Sequence, residues 1–331
     1  MSKILASLIL CCLSLSAFAQ PKRHFTFHYE FSVLGVTAGE KLQVWFPRAR
    51  TDAFQQVRIV SVTSDLPLKK TSESKYGNSL FYAVAPRAAK AEYKFDVEYD
   101  VVREERTTFP GAGAKPKLLR ASAKQASEFL GPDKLVPVAG RLADLAAEQV
   151  QGRTTTMDRS RALYDYVFNT MRYDKSGTGW GRGDAEWACD SKRGNCTDFH
   201  SVFISMARSQ RVPARFEIGF PLPASKTSGD IAGYHCWAEF YEPHYGWVPV
   251  DISEAWKDQA KKDFFFGGHD VNRVQFSIGR DLVLSPAQAG EPLNYFIYPY
   301  VEVGGKKWEN IANHFSFADH AAGAAAAATG K

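Results

Sequence analysis

Helical periodicity begins abruptly in the stretch Arg193-Gly194-Asn195-Cys196-Thr197-Asp198-Phe199-His200. The residues ahead of Cys196 suit a turn, and apolar residues then recur at helical spacing, at Phe199, Val202, Phe203, Met206 and Ala207. Cys196 is therefore expected at a helix N-terminus, with Asp198 as an N-terminal cap or dipole partner. At that position the helix dipole favours a thiolate, and free backbone N–H groups can hold an oxyanion.

Two later segments supply the partners that a reactive thiol requires. Residues 234–241 alternate as a strand does and carry His235, while residues 247–250 predict the next strand, which ends at Asp251. Pairing of the two strands as a hairpin would bring the Asp251 carboxylate beside His235. A cysteine nucleophile needs an imidazole to form the thiolate, and the imidazole needs an acceptor that fixes its tautomer. We therefore expect Cys196 as nucleophile, His235 as general base and Asp251 as the residue that orients it.

His200 is the competing imidazole, because it lies four residues beyond Cys196 on the same helix face. That position is one turn away from an oxyanion at the helix start, so His200 is expected to support the site together with Asn195 and Trp237. Cys236 points away from His235 on an ideal strand and is expected to be structural. An indole N–H or a phenol hydroxyl could complete an oxyanion hole or line the site. The candidates for this role are Trp180, Trp187 and Tyr173.

The N-terminus has the pattern of a secretory signal. Lys3 precedes an apolar run over residues 4–15, and Ala17-Phe18-Ala19 is a cleavage signal. Cleavage near Ala19 predicts a periplasmic or secreted protein. No apolar stretch reaches the ~20 residues that a membrane-spanning helix needs.

Three cysteines remain after the signal: Cys189, Cys196 and Cys236. An odd number leaves at least one free thiol. A Cys189–Cys236 disulfide is compatible with the sequence. A structural zinc or disulfide domain built on the three cysteines is a further alternative to catalysis.

Composition limits the possible partners. The chain has 331 residues, 45% hydrophobic residues and a formal net charge of +5, with no dense basic run. Nucleic-acid binding is therefore not expected, whereas attraction to an acidic envelope polymer is compatible with the charge. The sequence contains no calcium loop, histidine pair at zinc spacing or glycine-rich phosphate loop, so we expect no metal and no cofactor.

Alternating patterns predict a β-rich first domain. Phe25, Phe27, Tyr29 and Phe31 alternate with polar residues, and similar runs separated by turns extend to about residue 106, which favours an antiparallel sandwich. A Gly/Ala/Pro/Lys-rich linker follows at residues 109–116. Helical patterns then occupy residues 139–150 and 158–173, and β patterns return at 274–278, 281–284 and 294–303.

At these motifs the chain resembles the transglutaminase-like superfamily, which has a papain-like fold. The resemblance covers about residues 140–255. It rests on Arg193-Gly194-Asn195-Cys196, Val212-Pro213-Ala214-Arg215, His235-Cys236-Trp237-Ala238-Glu239 and Gly246-Trp247-Val248-Pro249-Val250-Asp251. It implies Cys196, His235 and Asp251 as a catalytic triad, and a β-sandwich ahead of the core. Thr197 stands where the animal cross-linking enzymes have tryptophan, and their calcium loop is not visible.

Together these features predict an α+β protein, with an N-terminal antiparallel β-sandwich, a papain-like transglutaminase core and a C-terminal β-rich segment. The expected boundaries are a signal peptide at 1–19, the sandwich at 20–108, a linker with a short helix at 109–138, the catalytic domain with C-terminal strands at 139–318 and a disordered Ala-rich tail at 319–331. The expected activity is thioester chemistry on a protein or peptide substrate, with hydrolysis favoured over amine transfer. The alternative is an envelope-binding module that keeps the fold without catalysis.

Overall fold

The structure is a computed structural model that describes residues 20–110 and 115–321. The predicted signal peptide, four residues of the predicted linker and residues 322–331 of the predicted tail lie outside the described residues. Among the described residues, no helix combines the length and apolar character needed to cross a membrane.

Strands dominate both ends of the described chain, and helices occupy its middle. The strands of the first third are β1 (Lys22–Leu34), β2 (Leu42–Pro47), β3 (Gln55–Ser64), β4 (Lys69–Ser72), β5 (Ser79–Ala85), β6 (Glu92–Glu104) and β7 (Arg106–Thr107). The helices are α1 (Ala123–Ser127), α2 (Arg141–Gln149), α3 (Thr156–Thr170), α4 (Ala185–Ser191), α5 (Cys196–Ser209) and α6 (Ile252–Lys257), followed by a 3-10 turn at Gln259–Lys261.

The remaining strands lie between and after the helices. They are β8 (Arg172–Tyr173), β9 (Arg193–Gly194), β10 (Ala214–Pro221), β11 (Ser228–Asp230), β12 (His235–Glu242), β13 (Gly246–Val250), β14 (Gly268–His269), β15 (Arg273–Ile278), β16 (Tyr300–Val303), β17 (Lys306–Lys307) and β18 (Ile311–Asp319). Except for the short β8–β9 pair, the strands of the described residues pair antiparallel, and together with the six helices they confirm the α+β class.

Two five-stranded sheets form the predicted sandwich, in the orders β11-β18-β1-β6-β3 and β17-β16-β2-β5-β4. In β1 the alternation of the sequence appears as alternating burial: Phe25, Phe27, Tyr29 and Phe31 are buried and their neighbours face outward. The aromatic rings pack between the layers, as in the stacking of Phe31 on Phe95 with ring centroids 4.7 Å apart. Burial of one face of each sheet supplies the hydrophobic stabilisation of this domain.

The C-terminal strands complete the sandwich, although the sequence placed them with the catalytic domain. β18 pairs antiparallel with β1, with Phe317 opposite Phe27, and β16 pairs with β2. Asp319 ends β18 and His320 donates its backbone N–H to the His24 carbonyl at 2.9 Å, so the predicted disordered tail begins too early. Alternating polarity predicts that a segment is a strand, but it does not predict which other strand that segment pairs with.

The middle of the chain forms a second unit around α5. A four-stranded antiparallel sheet of order β13-β12-β10-β15 packs against this helix, and α2, α3 and α4 lie against its other sides. Because neighbours surround it, α5 is buried from Cys196 to Arg208. This position makes α5 the central element of the core and holds its first turn beneath the sheet edge where β12 begins.

Buried charges connect the sandwich to this core. Arg106 of β7 donates to the Glu239 carboxylate and to the Trp247 carbonyl, and Arg215 Nε donates to Glu239 Oε2 at 2.9 Å. Glu217 lies beside this group. Burial and the neighbouring Glu239 charge raise the pKa of Glu217 to about 7. The joint is therefore an ionic cluster whose charge depends on pH near neutrality.

Candidate active site

Cys196 is the first residue of α5, as predicted. Asn195 is the N-cap, and its side-chain oxygen accepts the Thr197 N–H at 2.9 Å. The first residue of a helix has no intrahelical acceptor for its own N–H. The Cys196 N–H is thus a donor placed beside its own thiol, at the positive end of the helix dipole.

Asp198 holds the loop that leads into this helix start. Its carboxylate accepts the N–H groups of Gly181 at 2.6 Å, Gly183 at 3.0 Å and Asn195 at 2.9 Å. Gly194 has a φ of 149°, and a Cβ atom there would overlap the Asp198 side chain. Asp198 therefore does more than cap the helix as predicted, because its carboxylate also fixes the preceding loop against the helix.

His235 and Asp251 meet across the expected hairpin. β12 and β13 pair antiparallel, β12 begins at His235, and Asp251 follows β13 as the N-cap of α6. His235 Nε2 lies 2.7 Å from Asp251 Oδ2. The Asp251 carboxylate also accepts bonds from Arg273 Nη1 at 2.9 Å and from Ser253 Oγ at 3.1 Å, so both oxygens are held and the imidazole orientation is fixed.

The electrostatics favour a thiolate–imidazolium pair. Burial opposes ionisation of Cys196, but hydrogen bonding from Cys236 and His235 and the charge of His235 hold its pKa well below the usual value. Burial also lowers the pKa of His235, yet the Asp251 carboxylate and the Cys196 thiolate together raise it to about 10. Burial acts on Asp251 in the opposite sense, but His235 and Arg273 keep its pKa well below its ordinary range. With the nucleophile ionised and the imidazole protonated, the arrangement can attack a carbonyl and donate a proton to a leaving group.

His200 links the helix to the Asp251 segment. Its Nδ1 is 2.7 Å from the Cys196 carbonyl oxygen, and its Nε2 accepts the Ile252 N–H at 3.1 Å. The acceptor role of Nε2 assigns the proton to Nδ1, which donates to Cys196. Burial lowers the pKa of His200, so this imidazole is neutral. His200 therefore lies between the backbone of Cys196 and the backbone of Ile252, behind the thiol.

The cysteines do not pair. Cys189, Cys196 and Cys236 are all free, which corrects the alternative of a Cys189–Cys236 disulfide. In the part of the chain that the structure describes, they do not gather into a three-ligand metal group either. Cys189 contacts Arg141 Nη2 at 3.4 Å, whereas the Cys236 thiol lies against Cys196 and 3.7 Å from Thr197 Oγ1. Cys236 therefore takes part in the electrostatics of the site, which strand alternation alone did not predict.

The aromatic candidates separate into two groups. Tyr173 lines the cavity that adjoins His235, and Lys257 lies 4.1 Å above its ring. The Trp180 indole N–H instead donates to the Gly177 carbonyl at 3.1 Å. Trp187 packs at the border of the core with Arg193 over its ring, so the structure does not bring either indole to the site.

Behind the site, Trp237 and Arg273 form a second layer. The Trp237 indole N–H donates to Glu217 Oε2 at 2.7 Å, and its ring packs 6.0 Å from His235. Arg273 lies over the same ring at 4.9 Å while it bonds Asp251. Sequence reasoning named Trp237 but missed Arg273, because nothing near residue 273 indicates that β15 returns beside Asp251.

Tyr234 is a second residue that the sequence did not identify. Its hydroxyl lies 2.9 Å from Thr197 Oγ1 and accepts from Asn195 Nδ2 at 3.2 Å, so it caps the start of α5 from the cavity side. No local pattern indicated this role, because it depends on the tertiary contact of Tyr234 with Asn195 and Thr197.

Two adjoining cavities meet at His235. One of about 540 Å³ extends past Tyr173, Tyr234 and Lys257. The other, of about 280 Å³, extends past Phe265 and Arg273. A third cavity of about 630 Å³ lies in the sandwich and shares no lining residue with them. Cys196 is only 2% exposed, so a substrate would reach the thiol through the groove beside His235.

Comparisons with known proteins agree with this architecture. Residues 143–252 match the family model of the transglutaminase-like superfamily. An uncharacterized protein of Haemophilus influenzae is 28% identical over 320 residues, which cover 85% of each chain. The uncharacterized protein YebA of Bacillus subtilis is 24% identical over 156 residues, which are 42% of this chain and 21% of YebA.

Among solved structures, a candidate cysteine protease from Cytophaga hutchinsonii is similar in fold, with a TM-score of 0.53 and 15% sequence identity. The alignment covers 90% of this chain and 98% of that chain, so the likeness extends over the sandwich as well as the core. The chain therefore carries a transglutaminase-like domain at residues 143–252, and it shares its overall fold with the Cytophaga protein.

Proposed function

We propose that this protein is an exported cysteine enzyme that hydrolyses amide or peptide bonds through a thioester intermediate. The observation that carries the proposal is the hydrogen bond of 2.7 Å between His235 Nε2 and Asp251 Oδ2 beside the start of α5, where the charge of His235 lowers the pKa of the Cys196 thiol. Export is inferred from the signal pattern at residues 1–19.

The proposed reaction has two steps. The Cys196 thiolate forms a bond to the substrate carbonyl carbon, and the His235 imidazolium gives its proton to the departing amine nitrogen as the carbon–nitrogen bond breaks. His235 then takes a proton from water, which attacks the thioester and releases a carboxylate and the free thiolate. The Cys196 N–H is positioned to stabilise the oxyanion in both steps.

The shape of the groove supports a polypeptide as substrate. The two cavities that meet at His235 share Pro221, Leu222 and Pro223 as a common wall, so space continues on both sides of the imidazole. An extended peptide could therefore be held on both sides of its scissile bond, which a small amide does not require.

The polarity of the larger cavity supports hydrolysis over amine transfer. Asp230, Glu254 and Lys257 line it, and ionised side chains keep such a space hydrated. Water is then present at high concentration where the acyl-enzyme must be resolved. Transfer to an amine would instead require that water be excluded.

The test is to incubate the purified protein with casein, with muropeptides and with a labelled primary amine, while peptide cleavage, ammonia release and amine incorporation are followed. We expect new amino termini or ammonia without incorporation of the amine. Cys196→Ala should lower the rate by about 10³-fold or more, because removal of the nucleophile leaves only binding and oxyanion effects.

Cys189→Ala is the matched control, because Cys189 is also a buried free thiol but contacts Arg141 rather than the triad. Equal activity of the Cys196→Ala variant and the unaltered protein would refute the proposal. Incorporation of the amine faster than hydrolysis would replace hydrolysis by transfer.

A further inference from the structure

Three side chains that are far apart in the sequence meet on the outer face of the sandwich. His24 belongs to β1 and Asp100 to the adjacent β6, 76 positions later. His320 follows β18 and lies beside His24 on the other side of β1, where its backbone N–H donates to the His24 carbonyl at 2.9 Å. The two imidazole rings are in contact, with centroids 3.9 Å apart and planes tilted by 47°.

Their polar atoms converge on one point. His24 Nε2 lies 2.6 Å from Asp100 Oδ1, and His320 Nε2 lies 3.9 Å from the same oxygen. The three atoms lie within 4.8 Å of one another. Ligands at about 2.0 Å from a tetrahedral metal are separated by about 3.3 Å, so the observed distances bracket those of a coordinated ion.

We propose that His24 Nε2, Asp100 Oδ1 and His320 Nε2 form a binding site for a divalent transition-metal ion, of which Zn²⁺ is the best match. Two imidazoles and one carboxylate are the ligands that zinc accepts, whereas Ca²⁺ and Mg²⁺ prefer sites built from oxygen alone. Three protein ligands leave a fourth position for water or for another donor.

The surroundings suit an ion that exchanges with solvent. The three side chains are between 16% and 29% exposed, so an ion can enter without unfolding of the sheet. Arg58 Nη2 donates to Asp100 Oδ2 at 3.0 Å, which orients the carboxylate and leaves Oδ1 to the histidines. Thr26 Oγ1 lies 2.8 Å from His320 Nε2, where it can pass its hydrogen bond to a metal-bound water.

Two other histidines of the same face show why this cluster is different. His28 Nδ1 lies 3.7 Å from Asp96 Oδ1, with a single imidazole at that position. His314 uses one ring nitrogen for Glu30 and the other for Asp230, both at 3.1 Å, so its two partners lie on opposite sides of the ring. Only the group around Asp100 directs two imidazole nitrogens at one carboxylate oxygen among the described residues.

The sequence predicted no metal site because the ligands come from β1, from β6 and from the residue after β18, which only the fold brings together. An ion here would join the first strand of the sandwich to the last one. It would therefore act away from the groove at His235, and its binding can be measured without a substrate.

The test is a calorimetric titration of metal-free protein with Zn²⁺, in a Cys196→Ala background so that the reactive thiol cannot bind the metal. We expect one equivalent of Zn²⁺ to bind. His24→Ala and His320→Ala should each weaken binding by at least about 10–100-fold. Co²⁺ in place of Zn²⁺ should give the intense visible absorption of a tetrahedral site in the unaltered cluster and not in these variants.

His28→Ala is the matched control, since it removes an outward-facing histidine of the same strand that also faces an aspartate. Thermal unfolding of each metal-free variant checks that the sandwich is folded, and Asp100→Asn removes the ligand charge with little change of shape. Failure of Zn²⁺ to bind, or binding that His24→Ala leaves unchanged or that His28→Ala weakens equally, overturns the proposal.

Discussion

The two imidazoles nearest Cys196 have opposite roles because their partners differ. His235 faces the buried carboxylate of Asp251 on one side and the thiol on the other, which favours its charged form. His200 faces a backbone carbonyl and a backbone N–H, which favour its neutral form. A charged group beside a buried carboxylate can stabilise a thiolate, whereas a neutral group between two backbone groups can only hold them in position.

This difference predicts distinct results for the two histidines when the thiolate is titrated by its ultraviolet absorbance. The lowered pKa of Cys196 means that its thiolate persists at pH values where an ordinary thiol is protonated. In His235→Ala that signal should move to alkaline pH, because burial alone raises the pKa of the thiol. In His200→Gln the signal should remain near its original pH, while the free energy of unfolding falls by about 1–3 kcal/mol as buried backbone groups lose their partner.

Cys196→Ala provides the baseline for these titrations, because it removes the thiolate that is measured. If His200→Gln shifts the titration as far as His235→Ala does, the assignment of the two imidazoles is wrong.

The order of residues in the sequence led to the proposal of Cys196, His235 and Asp251 as the central groups but indicated none of the distant residues that support them. Cys196, His235 and Asp251 each follow a local signal: a helix start, a strand and a strand end. Arg273 and Tyr234 reach the site by tertiary contacts, and no local pattern encodes a contact between β15 and the residue after β13. The local structure at these three positions was therefore predictable, whereas a partner supplied by a distant strand was not.

At the scale of elements, the geometry of the first turn of α5 depends on its close contact with the preceding loop. The Asp198 carboxylate accepts three backbone N–H groups from that loop and the N-cap, and Gly194 provides the space for this approach. The thiol and its oxyanion donor are both parts of the same first turn. Their geometry should therefore change with any displacement of Asp198.

Gly194→Ala should disturb this arrangement in two ways. Its φ of 149° is unfavourable for a residue with a Cβ, and the added atom overlaps Asp198. We expect a loss of roughly 2–4 kcal/mol in the free energy of unfolding, together with a slower reaction of Cys196 with alkylating agents. Denaturant titration and labelling kinetics measure the two effects.

Gly229→Ala is a matched control, because Gly229 has a similar φ of 145° but open space around it. If Gly194→Ala lowers the free energy of unfolding no more than Gly229→Ala does, the close contact between Gly194 and Asp198 does not contribute to stability.

Element boundaries followed the sequence where periodicity was strong. The helical pattern at 139–150 became α2 (Arg141–Gln149), and the strand pattern at 247–250 became β13 (Gly246–Val250). The pattern at 281–284 did not become a strand, since Leu282 forms only an isolated bridge with Leu293. β18 was missed because just two of its residues, Phe315 and Phe317, are buried, so its alternation is weak.

At the scale of the molecule, the ionic joint between the sandwich and the core sets a pH dependence. Glu217 is buried beside Glu239, and its pKa is raised from 4.5 to about 7. Between these two values the folded state binds more protons than the unfolded state does. The free energy of unfolding should therefore fall as the pH rises from about 4.5 through about 7.

Glu217→Gln should remove this contribution, because glutamine does not titrate. Relative to the unaltered protein, the variant should lose less stability between pH 5 and pH 8, a range that covers most of the interval between 4.5 and about 7. Chemical denaturation at a series of pH values measures the difference. Glu98→Gln, on the outer face of β6, is the control, and an identical pH slope in Glu217→Gln and the unaltered protein would contradict the assignment.

The pairing of β18 with β1 has a consequence for biosynthesis. β1 is among the first segments of the sandwich to leave the ribosome, but β18, which separates it from β11, is made last. Until residues 311–319 arrive, the backbone groups along one side of β1 have no partner, and the first domain to be synthesised cannot close. The sandwich of the nascent chain therefore stays incomplete until synthesis has nearly ended. A chain that terminates before residue 311 would leave one edge of β1 unpaired. Such an exposed edge promotes aggregation and degradation of the truncated protein.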